Sequence, residues 1–168
     1  MTVDVKEKFR EEISAYSREA VEQLSASLNE PDWMQTFRLR AWETFASLPM
    51  PSTQDEPWRR TDLRRLKLKE LGPSLNGEGP VASAQAPEYL GAQLTDDKAG
   101  GVLLQVDGET VKYEVSEALK EQGVIFCDMH TAVAEHPDLI KKHFMTRAVT
   151  VDEGKFAAMH GAFWRGGT

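Results

Sequence analysis

Thiol chemistry is nearly absent from this chain, whose 168 residues hold a single cysteine, Cys127. One thiol excludes an internal disulfide framework and agrees with a reducing compartment. No apolar run approaches the length needed to span a bilayer, and the opening MTVDVKEKFREE has no apolar core for export, so the chain reads as soluble and cytoplasmic. Positive charge is also in short supply. A formal net charge of −7 opposes general attraction to nucleic acid or anionic lipid and leaves only local basic patches to act. The scattered glycines carry no Gly-Lys-Ser/Thr ending, which rules out a phosphate-binding P-loop.

What is present is enough for a core. A chain of this length can bury about 70% of the surface that its unfolded form exposes. The hydrophobic content is 40% before the 12 glycines are counted, which places the chain among folded proteins. Aromatic residues are concentrated in EPDWMQTFRLRAWETFASLPMPSTQDEPWRRTDL, residues 30–63, which holds Trp33, Trp42 and Trp58. Pro31 suits a first helical turn, and Trp33, Phe37, Ala41, Trp42 and Phe45 make one apolar stripe. Glu30 and Asp32 favour the helix start, while Pro49 and Pro51 forbid continuation beyond about Leu48.

Residues 4–28 read as helix in two pieces. Val5, Phe9, Ile13 and Tyr16 form a weaker stripe, Ser17 caps a new turn, and Ala20, Val21, Leu24 and Leu28 follow, with Asn29 as the stop. The short connection to the Pro31 helix predicts a helical hairpin. Residues 59–69 are basic, with Arg59, Arg60, Arg64, Arg65, Lys67 and Lys69. Leu66, Leu68 and Leu71 alternate with these lysines, so an edge strand with a solvated lysine face is favoured over a nucleic-acid patch, which would want interleaved aromatics. Residues 72–101 are rich in glycine, proline, alanine and serine and read as a mobile connection, with one turn at Pro87-Glu88-Tyr89-Leu90.

The back half changes period. Residues 102–106 and 110–115 flank Asp107-Gly108, a strong hairpin signal. Ser116 starts a short turn ending at Gly123, and Val124-Ile125-Phe126-Cys127 is expected as a buried strand. Asp128 caps a helix over 129–135, and Pro137 starts another through Phe144 with Leu139, Ile140 and Phe144 inward. A last helix runs from Lys155 to Trp164 and is stopped by Gly166 and Gly167. Its Phe156, Met159, Phe163 and Trp164 make an apolar face that either folds back on the sheet or recruits a second copy, so homodimerisation is expected. The predicted fold class is α+β: a helical subdomain over 1–71, a mobile linker over 72–101, and a small, mostly antiparallel sheet with helices over 102–168.

The candidates for chemistry are Cys127, Asp128 and His130, with His136, His143 and His160 further on. Cys127-x-x-His130 has a usable metal spacing but no second matching pair, and a thiol in an apolar strand is a poor nucleophile. A structural cysteine and surface histidines are the favoured reading. The two functional alternatives left open are a small metal-dependent hydrolase using Cys127 and His130, and a nucleic-acid adaptor using the basic stretch 59–69.

A more specific reading comes from motifs. Glu30-Pro31-x-Trp33, Arg38, Ala41, Leu48-Pro49-x-Pro51 and Glu56-x-Trp58-Arg59-x-Thr61-Asp62 resemble the N-terminal region of the SufB/SufD family of iron–sulfur cluster assembly proteins, with the SufD branch closer. Lys155-Phe156-Ala157-Ala158-Met159-His160-x-Ala162-Phe163 is similar to the family's segment leading into its β-helix, although His160 stands where asparagine is usual and Arg60 where an aromatic residue is usual. The resemblance implies an N-terminal piece lacking the family's right-handed β-helix and C-terminal helical region. It also implies a non-catalytic scaffold that pairs with a SufB-like subunit and a SufC-like ABC ATPase while clusters are built. Catalytic, cofactor-binding and metal-ligating residues are accordingly expected to be none in this stretch, the iron–sulfur cluster belonging to the full complex.

Overall fold

The computed structural model describes residues 13–63, 66–73, 100–106 and 109–168. Its elements are α1 (Arg18–Ser27), α2 (Asp32–Ser47), a 3-10 turn at Glu56–Trp58, α3 (Leu68–Leu71), β1 (Gly101–Val106), β2 (Glu109–Val115), α4 (Glu117–Glu121), α5 (Met129–Glu135), α6 (Pro137–His143), a second 3-10 turn at Val151–Glu153, and α7 (Lys155–Phe163). The α+β class holds, with one two-stranded antiparallel sheet among the described residues. Two compact units form. Residues 142–164 belong with the front of the chain, giving 1–75 plus 142–164, and 76–141 plus 165–168.

The first unit is built on α1, α2 and α7. Ser17 caps α1 by accepting from the Ala20 N–H at 3.2 Å, and Asn29 stops it with φ of 50°, a left-handed conformation that asparagine tolerates. Residues 13–16 form a turn and not a first helical piece, while Val5 and Phe9 lie outside the described residues. In α2 the innermost line is Met34, Arg38, Ala41 and Phe45, whereas Trp33, Phe37 and Trp42 flank it half-buried. Of the expected stripe, Ala41 and Phe45 are thus fully inside, and Trp33, Phe37 and Trp42 form the edge of the buried face. Met34 and Arg38 share its centre with them, and at Ala41 α7 approaches too closely for an indole: a Cβ on Gly161 would lie 3.0 Å from that of Ala41.

Two apolar clusters fill this unit. Tyr16, Phe45, Leu68 and Ala158 make one, and Val21, Ala41, Val151 and Ala162 the other, with Trp42 and Phe163 packed against both. The apolar face of α7 is therefore covered within its own chain, contrary to the open face expected. Phe163 sits edge-on to Tyr16 at 5.2 Å, Trp164 is buried, and Phe156 meets Trp58 at 5.3 Å. The edge strand expected around Leu66, Leu68 and Leu71 is instead the single turn α3. A turn places Leu68 in the first cluster and lets Lys67 pair with Glu70 at 2.9 Å, whereas an extended segment has no described strand beside it to satisfy its backbone. Arg64, Arg65 and the Pro87–Leu90 turn lie outside the described residues, as does most of the 72–101 connection.

In the second unit β1 and β2 pair antiparallel, Leu103 opposite Tyr113 and Leu104 opposite Lys112. The register slips between Leu104 and Gln105, which faces Thr110, so Val111 is an extra residue in β2. The Asp107-Gly108 turn lies outside the described residues. Val124–Cys127 is not a strand, and Val124 and Ile125 are 44% and 53% exposed. After α4 the Val124 N–H turns back to the Leu119 carbonyl, and Phe126 is drawn onto the hairpin by stacking with Tyr113, so the run never aligns with a neighbouring strand. Leu139, expected inward on α6, is 46% exposed.

Candidate functional site

Three features carry polar groups or open surface: the cluster that the sequence singles out, a groove that it does not reveal, and a buried arginine. At the first, Asp128 is committed to starting α5. Its Oδ1 accepts from the His130 and Thr131 N–H groups at 3.0 and 3.1 Å, and its Oδ2 accepts from the Thr131 hydroxyl at 2.7 Å. Partial burial works against ionisation, but these hydrogen bonds and the neighbouring His130 outweigh it and lower the Asp128 pKa. His130 Nε2 accepts from the Gly166 N–H at 3.4 Å. The Met129 N–H donates to the Gly167 carbonyl at 3.1 Å, so the glycines read as a helix stop also strap the tail to the start of α5. Gly167 has φ of 130°, which favours glycine there.

Cys127 is free and half-buried, and its thiol pKa is raised by burial and then by the charges of Asp128 and Glu135. That is the reverse of an activated thiolate. His136 follows α5, with its backbone N–H on the Ala132 carbonyl, and His143 and His160 are exposed. Among the described residues no group of three or more His, Cys, Asp or Glu side chains is placed to hold a metal ion. In the basic stretch, Arg59 pairs with Glu56 at 3.5 Å and Lys67 with Glu70, both on the surface, where such pairs contribute little.

The groove, of about 440 Å³, lies in the first unit between the proline turn and the start of α7, with Leu48, Pro49, Met50, Pro51, Pro57, Trp58, Gly154, Phe156 and Ala157 on its walls. Asp55 holds the turn in shape, accepting from the Ser52 N–H at 2.7 Å and from its hydroxyl at 3.2 Å. Lys155 also lines it, but its ammonium is already engaged by the Phe45 and Leu48 carbonyls at 2.6 and 2.8 Å. Its other ionisable lining residues are Asp55, held by Ser52, and Glu153, which accepts from the Thr150 N–H at 3.4 Å, and the remaining walls are apolar and shaped to pack a guest. Sequence reasoning missed it because Trp58 and Phe156 are far apart in the chain. Only the proline spacing 49-x-51 hinted at a rigid wall.

Deeper in the same unit is the most fully buried charge among the described residues, Arg38. The Arg38 guanidinium donates through Nε and Nη2 to Glu30 at 2.7 and 2.6 Å, and through Nη1 to the Ala162 and Trp164 carbonyls at 3.0 and 3.1 Å. It lies 4.4 Å over the Trp164 ring. Glu30, Arg38 and Ala162 were legible as motif positions, but not as one bonded centre.

Fold and site together define a class, an α+β region whose first unit joins its helices through a buried arginine and a buried lysine bonded to backbone carbonyls. The chain belongs to the SufBD family: residues 10–168 match its SufBD protein N-terminal region. It is 32% identical over 162 residues to the iron-sulfur cluster assembly protein SufB of Bacillus subtilis (strain 168), covering 90% of this chain and 33% of that relative. Similarity to an iron-sulfur cluster assembly SufBD family protein of Staphylococcus aureus (strain USA300) is also 32%, over 158 residues, covering 88% of this chain and 32% of the relative. The chain thus spans about a third of the length of these curated relatives. No solved structure gives a significant match. No helix among the described residues is long and apolar enough to cross a membrane.

Proposed function

We propose that this chain is the N-terminal region of a non-catalytic, cytoplasmic scaffold subunit in iron–sulfur cluster assembly. The observation that carries this reading is the family match over residues 10–168, which takes in every described element of both units. The SufD branch is the finer assignment and rests on the Glu30-Pro31-x-Trp33 and Leu48-Pro49-x-Pro51 motifs; the partners are a SufB-like subunit and a SufC-like ATPase. In this reading the cluster is cargo of the full complex, and the present residues contribute shape and contact. One cysteine cannot supply the four thiolates of a common cubane cluster. The hydrolase alternative gains no support from the geometry, since Asp128 and His130 are engaged in capping and tail contacts and burial and nearby charge raise the Cys127 thiol pKa.

The test is co-expression of the full-length protein with SufB-like and SufC-like subunits, followed by affinity purification and metal analysis of both the complex and the 168-residue chain. The expected result is a three-component complex, with an isolated chain that is colourless and binds neither iron nor zinc stoichiometrically. Near-stoichiometric metal in the isolated chain, lost in Cys127→Ala or His130→Ala, would sink the non-catalytic reading.

A further inference from the structure

Among the described residues the two-stranded sheet is open along β2. Within them, the backbone bonds of Glu109–Val115 run to β1, and the next link, Ser116 N–H to the Gly100 carbonyl at 2.9 Å, stays within the same hairpin. A sheet of two strands is marginal by itself, and an open edge offers its unpaired N–H and C=O groups to another strand. Beyond the extra residue Val111, the regular part of this edge reads Lys112, Tyr113, Glu114, Val115. Tyr113 and Glu114 are exposed, and Lys112 lies 3.3 Å from Glu114 on the same face.

That order of residues is self-complementary. An antiparallel partner centred on Tyr113 sets Lys112 opposite Glu114 of the other copy, Glu114 opposite its Lys112, and the two Tyr113 side chains against each other. Over residues 111–115, where the two strands overlap, no like charges meet in this register, whereas a shift by two residues in either direction sets Lys112 against Lys112 or Glu114 against Glu114. Phe126, stacked on Tyr113 at 6.0 Å, brings exposed Ile125 and Val124 to the neighbourhood of the same strand and adds apolar surface to it. We propose that β2 is a homotypic docking edge: two copies of this chain pair β2 to β2 about a two-fold axis at Tyr113, making one four-stranded sheet. The occupant is a second copy because an antiparallel copy carries the opposite charge at each charged position of this short edge.

The contact is shorter than a standard interface, so association is weak, with a dissociation constant of roughly 10⁻⁴ M. Sedimentation equilibrium of the 168-residue chain up to about ten times that concentration, in low salt, is the test, with amide exchange of β1 and β2 confirming that the hairpin is folded in each variant. The expected result is reversible dimerisation weakened about tenfold by Lys112→Glu and by Glu114→Lys, each of which sets like charges across the axis. The double variant carrying both changes restores the opposite pairing and the dimer. A parent that stays monomeric throughout the range overturns the proposal. So does a dimer indifferent to either single change, or a folded double variant that fails to recover.

Discussion

Arg38 and Lys155 cap each other's helices. Arg38, in the middle of α2, donates to the Ala162 and Trp164 carbonyls at the end of α7, and Lys155, the first residue of α7, donates to the Phe45 and Leu48 carbonyls at the end of α2. The last carbonyls of a helix have no partner within it and carry its negative pole, so a cation from the antiparallel neighbour satisfies both needs at once. This reciprocal arrangement explains why residues from the far end of the chain belong to the front unit. Removing either cation exposes more than a lost charge, since each leaves buried acceptors behind.

The first prediction follows from the Glu30–Arg38 pair, whose side chains are 2% and 0% exposed. Arg38→Met strands a buried carboxylate and two carbonyls and should cost about 3–5 kcal/mol in denaturant unfolding. Combining it with Glu30→Gln should cost less than the sum of the two single changes by about 1 kcal/mol or more. Strict additivity would show that the two side chains are not coupled as described.

Packing between α2 and α7 supplies the second. A Cβ at Gly161 would lie 2.9 Å from Val151 Cγ1 and 3.0 Å from Ala41 Cβ. Gly161→Ala gains up to about 1 kcal/mol of helix propensity, yet the crowding should outweigh it for a net loss of about 1–2 kcal/mol. Adding Val151→Ala should relieve part of that loss. A stabilised Gly161→Ala protein would mean that α2 and α7 lie further apart.

The third concerns acid. Asp128 has a lowered pKa in the folded chain, so its stabilising contribution is complete above the unfolded value of about 3.9 and is lost as pH falls through the folded value. Asp128→Ala should cost about 0.5–2 kcal/mol at pH 7, while Asp128→Asn keeps most of the cap and removes its pH dependence. Helix signal and amide exchange over Met129–Glu135, followed from pH 6 to pH 2, decide the matter. An unchanged acid transition in Asp128→Asn would dissociate the cap from it.

Thiol reactivity is the fourth. With its pKa raised by burial and by Asp128 and Glu135, Cys127 should react with iodoacetamide near pH 7.5 more slowly than a free cysteine. Asp128→Asn should speed the reaction by removing one of the opposing charges. A rate equal to or above that of free cysteine would instead mark Cys127 as an activated thiol and revive the hydrolase alternative.

Local signals alone determined a good part of this protein. Ser17, Asn29, Asp128 and Pro137 mark helix ends through short-range hydrogen bonds and backbone restrictions, and the alternation around residues 102–115 marks the hairpin, because these effects need no distant partner. Its family was legible from ordered motifs. Tertiary structure alone decided which faces are buried and what the polar positions within the helices do. Arg38 sits at the centre of α2 only because the carbonyls of Ala162 and Trp164 meet it there. The apolar run Val124–Cys127 stays out of the sheet for a related reason: burial requires a surface to bury against, and that surface is made by residues far away in the chain.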